Sequence, residues 1–222
     1  MAMKVKAVIF DLDGTLINSL DDITDSLNKV LRRHGMPVHS TVAIREWIGD
    51  GAQMLLRKAL PMEKVDDEYL KEILGEYREE YMRNCTRRTY LYQGIPDLLN
   101  TLSAKGIQMN VLSNKPHELT RMVCQHFFRD WNFKVILGQR DQVPRKPDPS
   151  AALEISKSIG VKAEQIMYIG DSVVDMETGK NAGMISVAVT WGFRPKAELL
   201  QHEPSLCIDS PSDLVFYLNG KH

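Results

Sequence analysis

Five short apolar runs constrain this chain more than any other feature of it. They are "KAVIF" (Lys6–Phe10), "IQMNVLS" (Ile107–Ser113), "FKVILG" (Phe133–Gly138), "QIMYIG" (Gln165–Gly170) and "ISVAVT" (Ile185–Thr190). Each has strand length and is mostly apolar on both alternating faces, as expected of a parallel sheet covered by helices. Helix patterns separate the last four. After "NKPHE", Leu119, Met122, Val123 and His126 step by three and four, "PDPSAALEISKSIG" opens on proline and serine signals and stops at Gly160, and "SVVDMETGKNAG" ends at Gly183. Strands alternating with helices predict an α/β class fold, a doubly wound parallel sheet of Rossmann-like type.

The first interval breaks this rhythm. From Ile17 to Arg88 no strand pattern occurs, only helical ones. Ile17, Leu20, Ile23, Leu27, Val30, Leu31 and His34 fall on one helical face, with Ser19 as the expected N-cap, Asp21 and Asp22 in the first turn and Gly35 as the stop. "GAQMLLRKAL" reads as a further short helix, and Val65, Tyr69, Ile73 and Tyr77 recur every four residues after "PMEK". An all-helical insertion over 17–88 is therefore expected inside a core domain made of 1–16 and 89–222. The terminal "NGKH" reads as a frayed tail.

The charge balance narrows the partners. A formal net charge of -1, with no basic stretch, argues against a nucleic-acid surface. Cys85, Cys124 and Cys207 are odd in number, widely spaced and lack metal-ligand spacing, which fits reduced thiols. No signal-like segment and no run of membrane-spanning length occurs, so a cytoplasmic protein without a membrane partner is expected.

In a parallel sheet the C-terminal strand ends line one edge, where ligands bind. Asp11 and Asp13 follow the first run, Ser113 and Asn114 the second, Asp171 and Asp175 the fourth, and Lys146 stands in the "RKPDP" loop. Taken singly, each has a plainer reading. "DLDG" can be an Asx turn, Ser113 a helix N-cap, Lys146 a solvated loop cation and "GDSVVD" a capped helix start. Taken together, they bring carboxylates to one point, where they cannot all stay charged without a cation. Such oxygen-rich sites suit Mg²⁺, which keeps open positions for water and phosphate. Lys146 can neutralise further charge, and the Ser113 hydroxyl with nearby backbone N–H groups can hold phosphate oxygens. One aspartate could then attack phosphorus while the other, two residues on, moves protons.

These four segments, "DLDGT", the serine of "VLSNK", "RKPDP" and "GDSVVD", resemble in order and spacing the motifs of the haloacid dehalogenase-like phosphohydrolase superfamily. The resemblance implies Asp11 as nucleophile, Asp13 as general acid and base, Ser113 as phosphate ligand and Lys146 as the charge that steadies nucleophile and phosphate. It implies Thr15 and Asn114 beside the substrate. It also implies Mg²⁺ on the Asp11 carboxylate, the Asp13 backbone carbonyl and Asp171, with Asp175 binding the metal or orienting a metal water or Lys146. The helical insertion resembles that family's C1 cap. Within the family, "IGDGAQMLLRKAL" and "VTWGF" look most like phosphoglycolate phosphatases, with Gly49, Asp50, Gly51 and Arg57 in the cap region facing the substrate. Arg57 reads equally well as a surface helix cation, and Trp191 and Phe193 as packing beneath the next helix.

The implied activity is Mg²⁺-dependent hydrolysis of a small phosphorylated metabolite. Asp13 disfavours carbon–halogen and carbon–phosphorus cleavage, because those family branches lack this second aspartate. A phosphosugar mutase, a pyrophosphatase or a nucleotidase would share the chemistry at phosphorus. A phospho-acceptor signalling module would share the aspartate, the hydroxyl and the lysine, but has no need of a seventy-residue insertion. The oligomeric state and the substrate's organic part are not specified by these motifs.

Overall fold

In a computed structural model, which describes residues 5–61 and 66–220, the chain divides into two compact units. One comprises Met1–Ile17 and Leu91–His222, the other Asn18–Tyr90. Val65, expected on a helical face, and the last two residues of the "NGKH" tail lie outside the described residues.

The first unit is built on a six-stranded parallel sheet. β1 (Ala7–Phe10) is central, between β4 (Gln108–Pro116) and β6 (Ile166–Gly170). β5 (Phe133–Gln139) lies outside β4, while β7 (Ile185–Val189) and β8 (Leu206–Ile208) continue beyond β6. Helices cover both faces: α5 (Ile95–Ala104), α6 (His117–Phe127), α7 (Ser150–Ile159), α8 (Val173–Asn181), α9 (Lys196–Leu200) and α10 (Pro211–Leu218). The reason is visible in β1, all four of whose side chains are fully or almost fully buried. Ala7 and Ile9 join Leu112, Leu137, Ile166 and Tyr168 in a cluster closed by Ala151, Ala152 and Ile155 of α7. Val8 and Phe10 point the other way, so β1 needs cover on both sides.

This strand order fixes where a site can form. The chain runs outward from β1 through β4 to β5, then crosses to β6 on the other side and runs outward again. The C-terminal ends of β4, β1 and β6 are thus neighbours at a topological switch point. The five expected strands are all present. β8 is an additional edge strand, short and half-exposed, with too few apolar residues to stand out in the sequence.

The second unit holds α1 (Leu20–Arg33), α2 (Thr41–Trp47), α3 (Ala52–Ala59) and α4 (Asp67–Asn84). Ile23, Leu27, Val30 and Leu31 of α1 are buried, as the periodicity requires. Ser19 makes no side-chain capping bond; instead Asn18 Oδ1 accepts from Leu20 N at 3.2 Å. First-turn Asp22 is almost fully buried and accepts from Arg88 N, Thr89 N and the Thr89 hydroxyl. On α4, Ile73 and Tyr77 are buried while Tyr69 is only half-buried, its hydroxyl meeting His34. The interval from Ile17 to Arg88 does contain strand geometry at its start. β2 (Ile17–Asn18) pairs with β3 (Tyr90–Leu91) where the chain passes from one unit to the other, a ribbon too short to leave a periodic pattern.

Candidate active site

Asp11 stands one residue past β1, and its backbone N–H continues the ladder by donating to Ile169 O of β6 at 2.8 Å. This single bond sets Asp11 at the mouth of the sheet. The chain then turns at Gly14, whose φ of +92° lies in the left-handed region that favours glycine. Gly14 also approaches Asp171 so closely that a methyl group there would overlap the Asp171 carboxylate. Gly192, in the segment after β7, closes on Asp171 from another side: a Cβ there would strike Asp171 and the Gly14 carbonyl.

Asp11, Asp171 and Asp175 can each place one carboxylate oxygen within 4.8 Å of the others, and all three are buried. Lys146 Nζ donates to Asp11 Oδ1 at 2.8 Å and to Asp175 Oδ1 at 2.6 Å, beneath which lies the ring of Tyr168. The loop carrying Lys146 is held by Asn114. Its amide oxygen accepts from Lys146 N at 3.0 Å, and its amide nitrogen donates to Lys146 O at 3.3 Å. Asn114, expected beside the substrate, therefore spends its side chain on Lys146's backbone.

Asp171 accepts from Phe193 N at 2.7 Å and from the Thr15 hydroxyl at 3.1 Å. Each carboxylate oxygen retains a further lone pair for a cation. Asp175 is more fully engaged: one oxygen takes Lys146, and the other takes the Ser172 hydroxyl and N–H. Ser172 and Asp175 form the capping box that starts α8. The plain helix-cap reading of "GDSVVD" is thus realised, and the same capping box orients Asp175 toward Lys146. Asp11 differs from both: its Oδ2 accepts no hydrogen bond among the described residues, leaving one carboxylate oxygen for chemistry.

The electrostatics carry the same message. Burial, reinforced by Asp175 and Asp171, pushes the Asp11 carboxyl up to about 8 despite Lys146. Burial and Asp175 push Asp171 up to about 7, against the Phe193 and Thr15 hydrogen bonds. Burial alone would lower Lys146, but Asp11 and Asp175 outweigh it and hold the ammonium well above its ordinary value. A single lysine does not offset this much negative charge, so the cluster favours a further cation. The donor set fits Mg²⁺, a hard cation that takes carboxylate oxygens such as those of Asp11 and Asp171.

The remaining expected residues fall as follows. Ser113 is buried near the end of β4, not at a helix N-cap, and its hydroxyl accepts from Lys115 N at 3.2 Å. Asp13 Oδ1 accepts from Lys115 Nζ at 2.6 Å. Gly49 and Arg57 belong to the helical unit, where the half-exposed Arg57 donates to Asp67 at 2.9 Å. Sequence reasoning did not assign Lys115, the Phe193 N–H or the close approach of Gly192. "VTWGF" was legible only as a family feature and a packing segment. It actually wraps Asp171, with Trp191 Nε1 donating to Thr15 O at 3.0 Å.

A family model described as haloacid dehalogenase-like hydrolase matches residues 8–189. The chain belongs to the haloacid dehalogenase-like hydrolase family. Among curated relatives it is 34% identical over 213 residues to the phosphoglycolate phosphatase of Pseudomonas putida, covering 92% of this chain and 76% of that one. It is 32% identical to the phosphoglycolate phosphatase of Aquifex aeolicus, with 95% of each chain covered. A solved structure from Haemophilus somnus, provisionally described as a phosphoglycolate phosphatase, superposes with a TM-score of 0.90 at 28% identity, covering 98% of this chain and 99% of that one. Within the hydrolase family this chain is therefore phosphoglycolate phosphatase-like. Among its described residues, no helix is long and apolar enough to cross a membrane.

Proposed function

We propose that this hydrolase is a Mg²⁺-dependent phosphatase that cleaves phosphoglycolate or a closely similar small phosphomonoester through an aspartyl-phosphate. The observation that carries the reading is Asp11: one oxygen fixed by Lys146, the other accepting no hydrogen bond among the described residues, in a buried cluster that favours a cation. Asp11 Oδ2 attacks phosphorus in line with the ester bond. Asp13 gives a proton to the departing alkoxide, then takes one from the water that cleaves the phosphoryl-aspartate. Lys146 holds Asp11 in place and, with the Ser113 hydroxyl, stabilises charge on the transferring group. Mg²⁺, held by Asp11, Asp171 and the Asp13 carbonyl, would supply charge neutralisation on phosphate oxygens. Asp175 keeps Lys146 aimed at Asp11.

The helical insertion is assigned the role of cap, with Gly49 and Arg57 as candidate readers of the substrate's organic part. A cytoplasmic location agrees with three cysteines that form no disulfide. The test is phosphate release from a panel of small phosphomonoesters with and without Mg²⁺. Phosphoglycolate should lead the panel, activity should vanish on chelation, and Asp11→Asn should abolish turnover while the fold persists. Metal-independent release, or activity in Asp11→Asn, would overturn the reading.

A further inference from the structure

The phosphatase reading above employs one buried lysine, Lys146, yet the same pocket contains a second. Lys115 is the penultimate residue of β4, its side chain is 5% exposed, and its Nζ lies 2.6 Å from Asp13 Oδ1. Burying an ammonium is costly. The Asp13 side chain remains partly exposed at 12% and could be solvated without it. The two lysines divide the pocket between them: Lys146 serves Asp11 and Asp175, and Lys115 serves Asp13. If Asp11 faces phosphorus and Asp13 faces the ester oxygen, Lys115 is the cation on the leaving-group side.

We infer that Lys115 is the specificity residue that receives a carboxylate carried by the leaving alcohol, so that the site is built for 2-phosphoryloxy carboxylates. The inference rests on the phosphatase reading and adds the chemical class it selects. In such a substrate the carboxylate carbon is two bonds from the ester oxygen, so its oxygens lie only about 3 Å from the atom that Asp13 protonates. An ammonium touching Asp13 is within reach of that group. Lysine suits the task, because its three donors on a rotatable stem can bridge two carboxylates at once. A neutral leaving group would gain nothing from this cation. Its own carboxylate would instead leave phosphoglycolate badly placed beside Asp13 if Lys115 were missing, since like charges that close repel.

The experiment compares kcat/KM for phosphoglycolate with that for ethyl phosphate, which carries a methyl group where phosphoglycolate carries its carboxylate. Wild type should prefer phosphoglycolate strongly. Lys115→Met should cut that preference by about tenfold to a hundredfold, the range expected for a lost charge-assisted bond. General damage to Asp13 slows both substrates alike and leaves the ratio intact. Lys115→Gln, which keeps a donor for Asp13 but no charge, should lower the ratio similarly and serves if Lys115→Met fails to fold. A ratio within twofold of wild type in either folded variant overturns the inference. Wild type that hydrolyses both esters equally well also overturns it while leaving the phosphatase reading intact. Wild type that releases phosphate from neither ester overturns both.

Discussion

Replacing Lys146 by methionine isolates the electrostatic argument from the catalytic one. The ammonium is 4% exposed and bonds two carboxylates, of which Asp175 is 0% and Asp11 11% exposed. Methionine preserves much of the side chain's volume but leaves both acids buried beside Asp171 with no cation. Removing one partner of a buried ion pair costs about 3–5 kcal/mol. For a chain of this length that corresponds to a melting temperature lower by about 6–20 °C. The assay is thermal or urea unfolding in chelator, followed by a Mg²⁺ titration. Mg²⁺ held by the native carboxylates should restore part of the loss, about 2.7 kcal/mol when present at a hundred times its dissociation constant. The double variant Lys146→Met with Asp175→Asn should be more stable than Lys146→Met alone, because it removes the carboxylate that lost its cation. A loss below about 1 kcal/mol in chelator would refute the reasoning, since an exposed pair behaves that way.

Three further perturbations follow from the same geometry. In chelator, stability should fall as pH rises from about 4 towards 8. Over that window folded Asp11 and Asp171, with values of about 8 and 7, keep protons that the unfolded chain has released, so each unit of pH favours unfolding. Saturating Mg²⁺ should flatten this slope, and a metal-free melting temperature that is level or rising between pH 5 and 8 would contradict it. Gly192→Ala should raise the Mg²⁺ concentration needed for half-maximal activity by about 10- to 100-fold, as expected when a metal ligand's support is disturbed. Its methyl would displace Asp171, and an unchanged Mg²⁺ requirement would show that Asp171 is not a ligand. In the helical unit, Asp22→Ala strips the acceptor from the Arg88 and Thr89 backbone N–H groups. It should cost about 2–5 kcal/mol in urea unfolding, and a loss under about 0.5 kcal/mol would show that these hydrogen bonds do not matter to stability.

The α/β class was readable because the apolar runs are continuous and the helix signals between them are strong. Asp11, Ser113, Asp171 and Asp175 could be grouped because strand ends in a parallel sheet share one edge, and Lys146 because its loop enters the helix before β6 and its charge complements the acids. What escaped was contact made by atoms without a sequence pattern. The Phe193 N–H on Asp171 is backbone, and any residue type but proline could supply it. Gly192 matters because of what it lacks, and a glycine after a strand reads first as a turn. Lys115 was hidden by ambiguity: a lysine at a strand end reads as a solvated cation until Asp13 is seen beside it. The Asp22 carboxylate read as first-turn acid because its partners lie 66 and 67 residues away. Local pattern carries the elements and their ends, whereas pairings across the sheet edge depend on tertiary placement.

The central claim is that Asp11 bonds covalently to phosphorus. Wild type mixed with phosphoglycolate and Mg²⁺, quenched in acid before one turnover is complete and digested, should yield the peptide containing Asp11 heavier by one phosphoryl group. Fragmentation should place that group on Asp11, and it should disappear once substrate is exhausted. An unmodified Asp11 throughout a productive turnover, or a phosphoryl group on another residue, would contradict the account.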